Sequence, residues 1–228
     1  MTRLRSSSDF LHGFKKIIYL YVLIGFNFAL SSSYDDFFKA IEFDDAVVVE
    51  QLLQRGFDPN TPTAELQTPL ILSIQKGSVR VSQVLISSPQ LQVNRPNPND
   101  ETPLMLAALK RQELLVNSLI QRGADVNRPG WSPLHYAATT GHVGIMRLLL
   151  EHHAYIDAES PNGTTPLMMA AYYGTPEATK LLLEEGADPL VRNHQGLTAL
   201  DFAANGPHRE SQTYVEAFTQ AAKAKLVK

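Results

Sequence analysis

From Asn162 to Pro189 the chain sets two short apolar runs between polar punctuation marks. Thr165 suits a helix N-cap, because its hydroxyl can accept a bond from a first-turn N–H that has no partner in the helix. Pro166 follows at the first helical position, where a missing N–H costs nothing. Leu167 to Ala171 supplies a compact apolar face, and Ala170 and Ala171 are small enough for a second helix to come close. Gly174 is expected to end this helix as a left-handed residue. Thr175-Pro176-Glu177 then opens a second helix with an acid in its first turn. Leu181, Leu182 and Leu183 form its buried face, and Gly186 stops it before Ala187-Asp188-Pro189. The stretch predicts one helix–turn–helix unit.

The unit recurs. The Thr-Pro position returns at Thr68-Pro69, Thr102-Pro103 and Ser132-Pro133 before Thr165-Pro166, and weakly at Thr198-Ala199 after it. The small position falls on Ser73, Ala107, Ala137, Ala170 and Ala203, and the first-helix stop on Gly77, Gly141 and Gly174. Gly56-Phe57-Asp58, Gly123-Ala124-Asp125 and Gly186-Ala187-Asp188 mark the second-helix ends. The spacing is about 33 residues. Such a T-P-L-x-x-A-A … G-A-D pattern resembles the ankyrin repeat. The resemblance implies an all-α solenoid of about six stacked helix–turn–helix units with short β-hairpin loops, placed near 35–60, 68–94, 102–127, 132–157, 165–190 and 198–225.

The units differ in instructive ways. In the first, Asp35 stands at the Thr position and is expected to cap its helix, with Asp44 or Asp45 capping the next. Phe37, Phe38 and Ile41 serve the first helix; Val48, Leu52 and Leu53 serve the second. In the second unit Pro89 should stop the helix after Ser87-Ser88. Arg111 and His153 stand where Gly is usual, and a left-handed residue at Arg111 would cost about 1 kcal/mol. The finger Arg128-Pro129-Gly130-Trp131 is three residues short, leaving a notch beside the chain's only tryptophan. At the end, Ser211 to about Lys225 reads as a closing helix with Tyr214, Val215 and Phe218 inward.

Residues 1–33 stand outside the repeats. Arg3, Arg5, Lys15 and Lys16 precede the uncharged run Ile17 to Leu30, and Ser31-Ser32-Ser33 follows. This is the layout of a signal peptide; an uncleaved membrane anchor is the alternative. The first reading places residues 34–228 in the periplasm of a Gram-negative cell or otherwise outside the cytoplasm, the second on a membrane. Loss of the leader, with its four basic groups and Asp9, takes the formal charge from −3 to −6. A mildly acidic product without a basic stripe argues against nucleic-acid binding. The chain has no cysteine, which excludes thiolate chemistry and disulfides.

The resemblance implies a protein partner bound along a groove of first helices and hairpin tips. The variable positions there are the residue before Thr and the seventh and eighth after it. These are Gln67, Glu101, Trp131, Thr164 and Leu197 on the fingers, and Gln75, Lys76, Leu109, Lys110, Thr139, Thr140, Tyr172 and Tyr173 on the helices, with Asn205 and Gly206 in the last unit. Trp131, Leu109, Tyr172 and Tyr173 are expected to share one face, where aromatic side chains commonly dominate binding; Lys76 and Lys110 would favour an acidic partner. The opposing reading packs Trp131 on its own finger and Tyr172 on the next helix. His135 and His142 occupy the family's own histidine positions, bonding between repeats; with His152 and His153 they show no convergent carboxylates to suggest a metal. No cofactor, small-molecule substrate or catalytic constellation is implied. The function expected is therefore non-catalytic protein binding by an exported adaptor or stabilising partner. A membrane-anchored scaffold and a self-associating structural protein are the alternatives. Intact-mass measurement on the chain from its source cells checks the leader: cleavage leaves a first residue near Tyr34, whereas an anchor leaves the full-length mass.

Overall fold

The computed structural model of the chain describes residues 33–226; the leader expectations thus fall outside the described residues, except at Ser33. Among the described residues there are twelve helices and no strand. The first, α1, covers 33–42. The others are α2 Ala46–Gln54, α3 Pro69–Lys76, α4 Val79–Ser87, α5 Pro103–Leu109, α6 Glu113–Gln121, α7 Pro133–Thr140, α8 Val143–Glu151, α9 Pro166–Tyr173, α10 Pro176–Glu184, α11 Ala199–Asn205 and α12 Arg209–Leu226. Helices α3, α5, α7, α9 and α11 pack side by side as an inner row, and α2, α4, α6, α8, α10 and α12 form an outer row. Each pair is one repeat.

The inner helices start as their sequences dictate. Thr68, Thr102 and Thr165 each accept a bond from the N–H three residues on, at 3.4, 3.3 and 3.4 Å. The third helical residue answers in four of the repeats, accepting from the cap's own N–H through Met105, His135, Met168 and Asp201. This reciprocal pairing satisfies two orphan donors at once. Asp45 caps α2 through Val48. Asp35 does not cap α1: residues 33 and 34 are already helical, so Asp35 lies on an exposed turn inside it.

The turns between paired helices fall into two kinds. Asp44, Gly77, Arg111 and Gly141 are left-handed, with φ of 53°, 75°, 58° and 66°. Gly174 is not, contrary to expectation; it is extended at φ −80° and ψ −151°. Its glycine answers to crowding instead, since a Cβ there would sit 2.5 Å from the Ala138 carbonyl. Pro176 follows two residues later and starts α10 without the left-handed step.

One continuous apolar core runs through the stack, from Phe37 and Ile41 through Ile74, Leu104, Leu134, Leu149, Leu167 and Leu182 to Val215. The paired alanines Ala107/Ala108, Ala137/Ala138 and Ala170/Ala171 are wholly buried, which lets the inner helices lie close. Of the residues expected to face inward in the first unit, Phe37, Ile41 and Leu52 are buried and Phe38, Val48 and Leu53 are half-buried. On α12 the buried side is Ser211, Val215 and Thr219. Phe218 was expected to face inward, but its position is one residue off that i, i+4, i+8 line and it is 36% exposed.

The fingers are compact turns rather than strand pairs. Thr63–Gln67, Asn97–Glu101, Ser160–Thr164 and Asn193–Leu197 each close by one backbone bond of 2.9–3.0 Å. Behind them a polar ladder joins the repeats. Asn60 accepts from the Gln92 N–H and donates to the Gln90 carbonyl. Asn94 does the same with Asp125 and Gly123, and Asn127 with Tyr155 and His153. Asp157 occupies the fourth rung. Its carboxylate accepts from the Asp188 N–H, but an ionised carboxylate has no proton to donate. Burial raises its pKa, and the nearby Asp188 adds to the rise.

Asp157→Asn restores the missing donor toward Gly186, the residue matching Gln90, Gly123 and His153. Stability should rise by about 1 kcal/mol at pH 7. The gain should shrink in acid, where Asp157 itself takes up a proton; denaturant melts at pH 7 and pH 4 check both.

Candidate functional site

The residues expected to form the binding face gather around the shortened finger. Without three residues of its tip, the finger cannot close on itself as its neighbours do. It is pinned sideways: the Arg128 guanidinium reaches both Asp100 carboxylate oxygens on the preceding finger, at 2.7 and 2.8 Å. Gly130, left-handed at φ 81°, would bring a Cβ within 3.5 Å of Pro161 on the following finger. Trp131 emerges from this bracket 37% exposed.

The indole caps a cavity of about 220 Å³, lined by Leu109, Trp131, His135, Tyr136, Thr139 and Met169. Three consecutive inner helices contribute: α5, α7 and α9. Trp131 meets the His135 ring edge to face, with centroids 5.2 Å apart. Tyr136 donates its hydroxyl to a Glu101 carboxylate oxygen at 3.2 Å, and Asn97 holds the other oxygen at 2.8 Å. Burial, reinforced by the Glu101 charge, pushes the Tyr136 hydroxyl up to about 12. Thr139 and Thr140 donate to carbonyls of their own helix, His135 and Ala137. Their hydroxyls are thus tied locally, and the cavity wall is largely apolar.

Tyr172 and Tyr173 form a second cluster. Their rings lie edge to face at 4.5 Å, and Tyr172 also meets Phe202 of the last repeat at 6.4 Å. Tyr172 is half-buried by that contact, whereas Tyr173 is 58% exposed. Neither tyrosine is among the residues that line the Trp131 cavity. Gln75 is half-buried, and Lys76 is exposed and paired with Glu42 at 3.4 Å. Lys110 is exposed at the end of α5. Thr164 is 2% exposed; it serves the finger through its backbone and presents no free side chain.

Sequence reasoning missed Tyr136 and Met169. Both stand four residues after the capping Ser or Thr, as do Leu106 and Phe202. Positions four, seven and eight share a helix face by the i, i+3, i+4 rule, so that spacing could have included them.

His135 holds the site together from beneath. The Ser132 N–H points at Nδ1 (3.1 Å), which leaves Nε2 to carry the proton and donate to the Thr164 carbonyl at 2.9 Å. The ring thus ties the start of α7 to the next finger. Its burial lowers the pKa from 6.5 to about 4. His142 caps α8 by accepting from the Ile145 N–H, and its other nitrogen lies 3.8 Å from Glu113. Among the described residues no three His, Asp or Glu side chains converge as metal ligands would.

Because the folded state favours neutral His135, its stabilising effect is complete above pH 6.5 and is lost as pH falls toward 4. A span of that size corresponds to about 3 kcal/mol. His135→Gln should be less stable at pH 7 and should lose its disadvantage by pH 4. Paired urea titrations across that range check the sign.

A model of the family described as "Ankyrin repeats (3 copies)" matches residues 37–129, 93–160, 115–193 and 153–218. Mouse ankyrin repeat and SAM domain-containing protein 6 is 44% identical over 88 residues, 37% of this chain and 10% of that protein. The human transient receptor potential cation channel subfamily A member 1 is 30% identical over 67% of this chain and 15% of its own length. Mouse nuclear factor NF-kappa-B p105 subunit is 32% identical over 58% and 14% respectively. The chain thus spans a small fraction of each of these relatives. Among solved structures, a chain from the complex of the Bd0816 predatory endopeptidase of Bdellovibrio bacteriovorus with immunity protein Bd3460 superposes with TM-score 0.69 and 25% identity. That match covers 80% of this chain and 97% of the other.

Proposed function

The chain belongs to the ankyrin repeat proteins, and from that premise we propose that it is a non-catalytic binding module whose protein partner docks along the inner helices and fingers. One observation carries the reading: the chain's only tryptophan stands 37% exposed over an apolar cavity built by three consecutive repeats. A side chain of that area, still partly exposed in the free protein, gains from a partner that completes its burial. Tyr173, 58% exposed, offers a second anchor one repeat on.

The Bdellovibrio complex lends the partner a finer form. There an immunity protein is bound to an endopeptidase, so a peptidase is the partner class to test first. In this reading the module is exported, as the pattern of residues 1–33 supports, and acts as an adaptor or stabilising partner outside the cytoplasm.

Quantitative pull-down from the source cell's envelope tests the proposal, with the full chain as bait and Trp131→Ala/Tyr173→Ala as control. Circular dichroism must first show that the control is folded. A partner held by the wild type and weakened at least 30-fold by the control, about 2 kcal/mol, supports docking on this face. Equal capture overturns it.

A further inference from the structure

Resting on the groove reading above, we propose that the Trp131 cavity receives one bulky apolar side chain from an acidic segment of the partner, with Lys110 reading the adjacent carboxylate. The argument starts from the cavity. Trp131, Leu109, Tyr136 and Met169 supply its apolar lining, from one finger and three helices. At about 220 Å³ it takes a single aromatic or long aliphatic side chain rather than a helix face. Its hydroxyl groups are already engaged, Tyr136 with Glu101 and Thr139 with the His135 carbonyl, which leaves the Trp131 indole N–H as the wall's donor without a protein partner among the described residues. It therefore offers an occupant chiefly apolar contact, with the indole N–H as its one spare donor.

Charge selects the rest of the segment. The chain is acidic overall, at −3, yet the charges on the expected helix positions of this face, Lys76 and Lys110, are both positive. Lys76 is paired with Glu42. Lys110 is exposed next to Leu109 and forms no ion pair among the described residues. Arg111 beside it is also exposed, held at φ 58°. The carboxylates near the cavity are committed: Glu101 accepts from Tyr136 and Asn97, and Asp100 is held by both arms of its contact with Arg128. The charge without an ion pair that adjoins the lining residue Leu109 in the chain is thus cationic. A partner with an Asp or Glu on that side of its apolar anchor is complementary; one with Lys or Arg there meets like charge.

Selection from a random peptide library on the full chain tests this, followed by titrations read through Trp131, the only indole present. The expected consensus is one bulky apolar residue with Asp or Glu beside it. Binding of a selected peptide should weaken about tenfold with Lys110→Glu and recover when the peptide's acid is exchanged for Lys. Thr139→Phe, which fills the cavity, should abolish the anchor's contribution, with circular dichroism confirming its fold. Recovery of peptides without the acid, no binder of this composition, or indifference to both substitutions overturns the proposal. If selected peptides are indifferent to those two variants yet lost with Tyr173→Ala, the groove reading stands and only this pairing falls. If no groove substitution matters, both fall. Equal binding by a single-stranded oligonucleotide would show a general preference for anions and would also overturn it.

Discussion

Each repeat of this stack ends with backbone groups that it cannot satisfy alone, and a neighbouring repeat, most often the preceding one, supplies their partners. Asn60, Asn94 and Asn127 each reach forward about 30 residues to pair an N–H and a carbonyl of the following unit. His135 reaches the Thr164 carbonyl in the same direction. Arg122 reaches backward, placing its guanidinium on the carbonyls of Ile86, Ser88 and Pro89. Those carbonyls lie at the end of α4, where Pro89 replaces the usual left-handed stop. The His135–Thr164 bond is buried, where an unpaired group costs about 1–3 kcal/mol; the others are part-buried or exposed, and they add direction to a stack that the apolar core holds together. The core supplies most of the driving force, but it is tolerant of small slips. The ladder is not, because a hydrogen bond lengthened by an ångström is lost.

Much of this was legible in the sequence, and the reason is locality. A Thr-Pro pair caps and opens a helix using only its own neighbourhood, so Thr68, Thr102 and Thr165 could be placed from the residues alone. The repeat period then carried those placements across the chain. What failed depended on groups distant in sequence. Gly174 stands at the position where Gly77 and Gly141 are left-handed, yet its conformation follows from Pro176 and its identity from the Ala138 carbonyl, 36 positions upstream. Asp35 was aligned to a cap, but α1 begins earlier than the repeat phase implies. Phe218 was assigned inward on hydrophobicity, while the helix is oriented by Ser211, Val215 and Thr219. There the buried Ser211 hydroxyl accepts a bond from Thr179 on α10, so polar matching prevails over the nearest aromatic.

The candidate site was half legible for the same reason. Trp131 and Leu109 could be placed on one face because each sits at a fixed offset from a cap. Tyr172 could not be separated from Trp131 by offset alone; its alliance with Phe202 depends on how the last repeat packs. Tyr136 and Met169 carried a signal in their helical spacing: position four is half-buried at Leu72, Tyr136, Met169 and Phe202 and fully buried at Leu106, and at Tyr136 and Met169 it lines the cavity.

That opening has a simple cause. The closed fingers shield the residue before the cap to different degrees. Thr164 is buried, Gln67 and Glu101 are half-buried, and Leu197 on the last finger is 38% exposed. Removing three residues from one finger leaves too little chain for its own closing bond, so Arg128 anchors it to Asp100 and Gly130 tucks against Pro161. The residue before Ser132 then has no tip to lie beneath. A small polar residue there would leave a wet notch. A tryptophan instead roofs the space between α5, α7 and α9 and keeps one part of its ring exposed. The shortened finger and the tryptophan therefore form one feature: a loop pinned to both of its neighbours sets a large apolar side chain over the space between three helices. The neighbouring repeats, bound by their own ladder and core, hold that position in place without adapting to it.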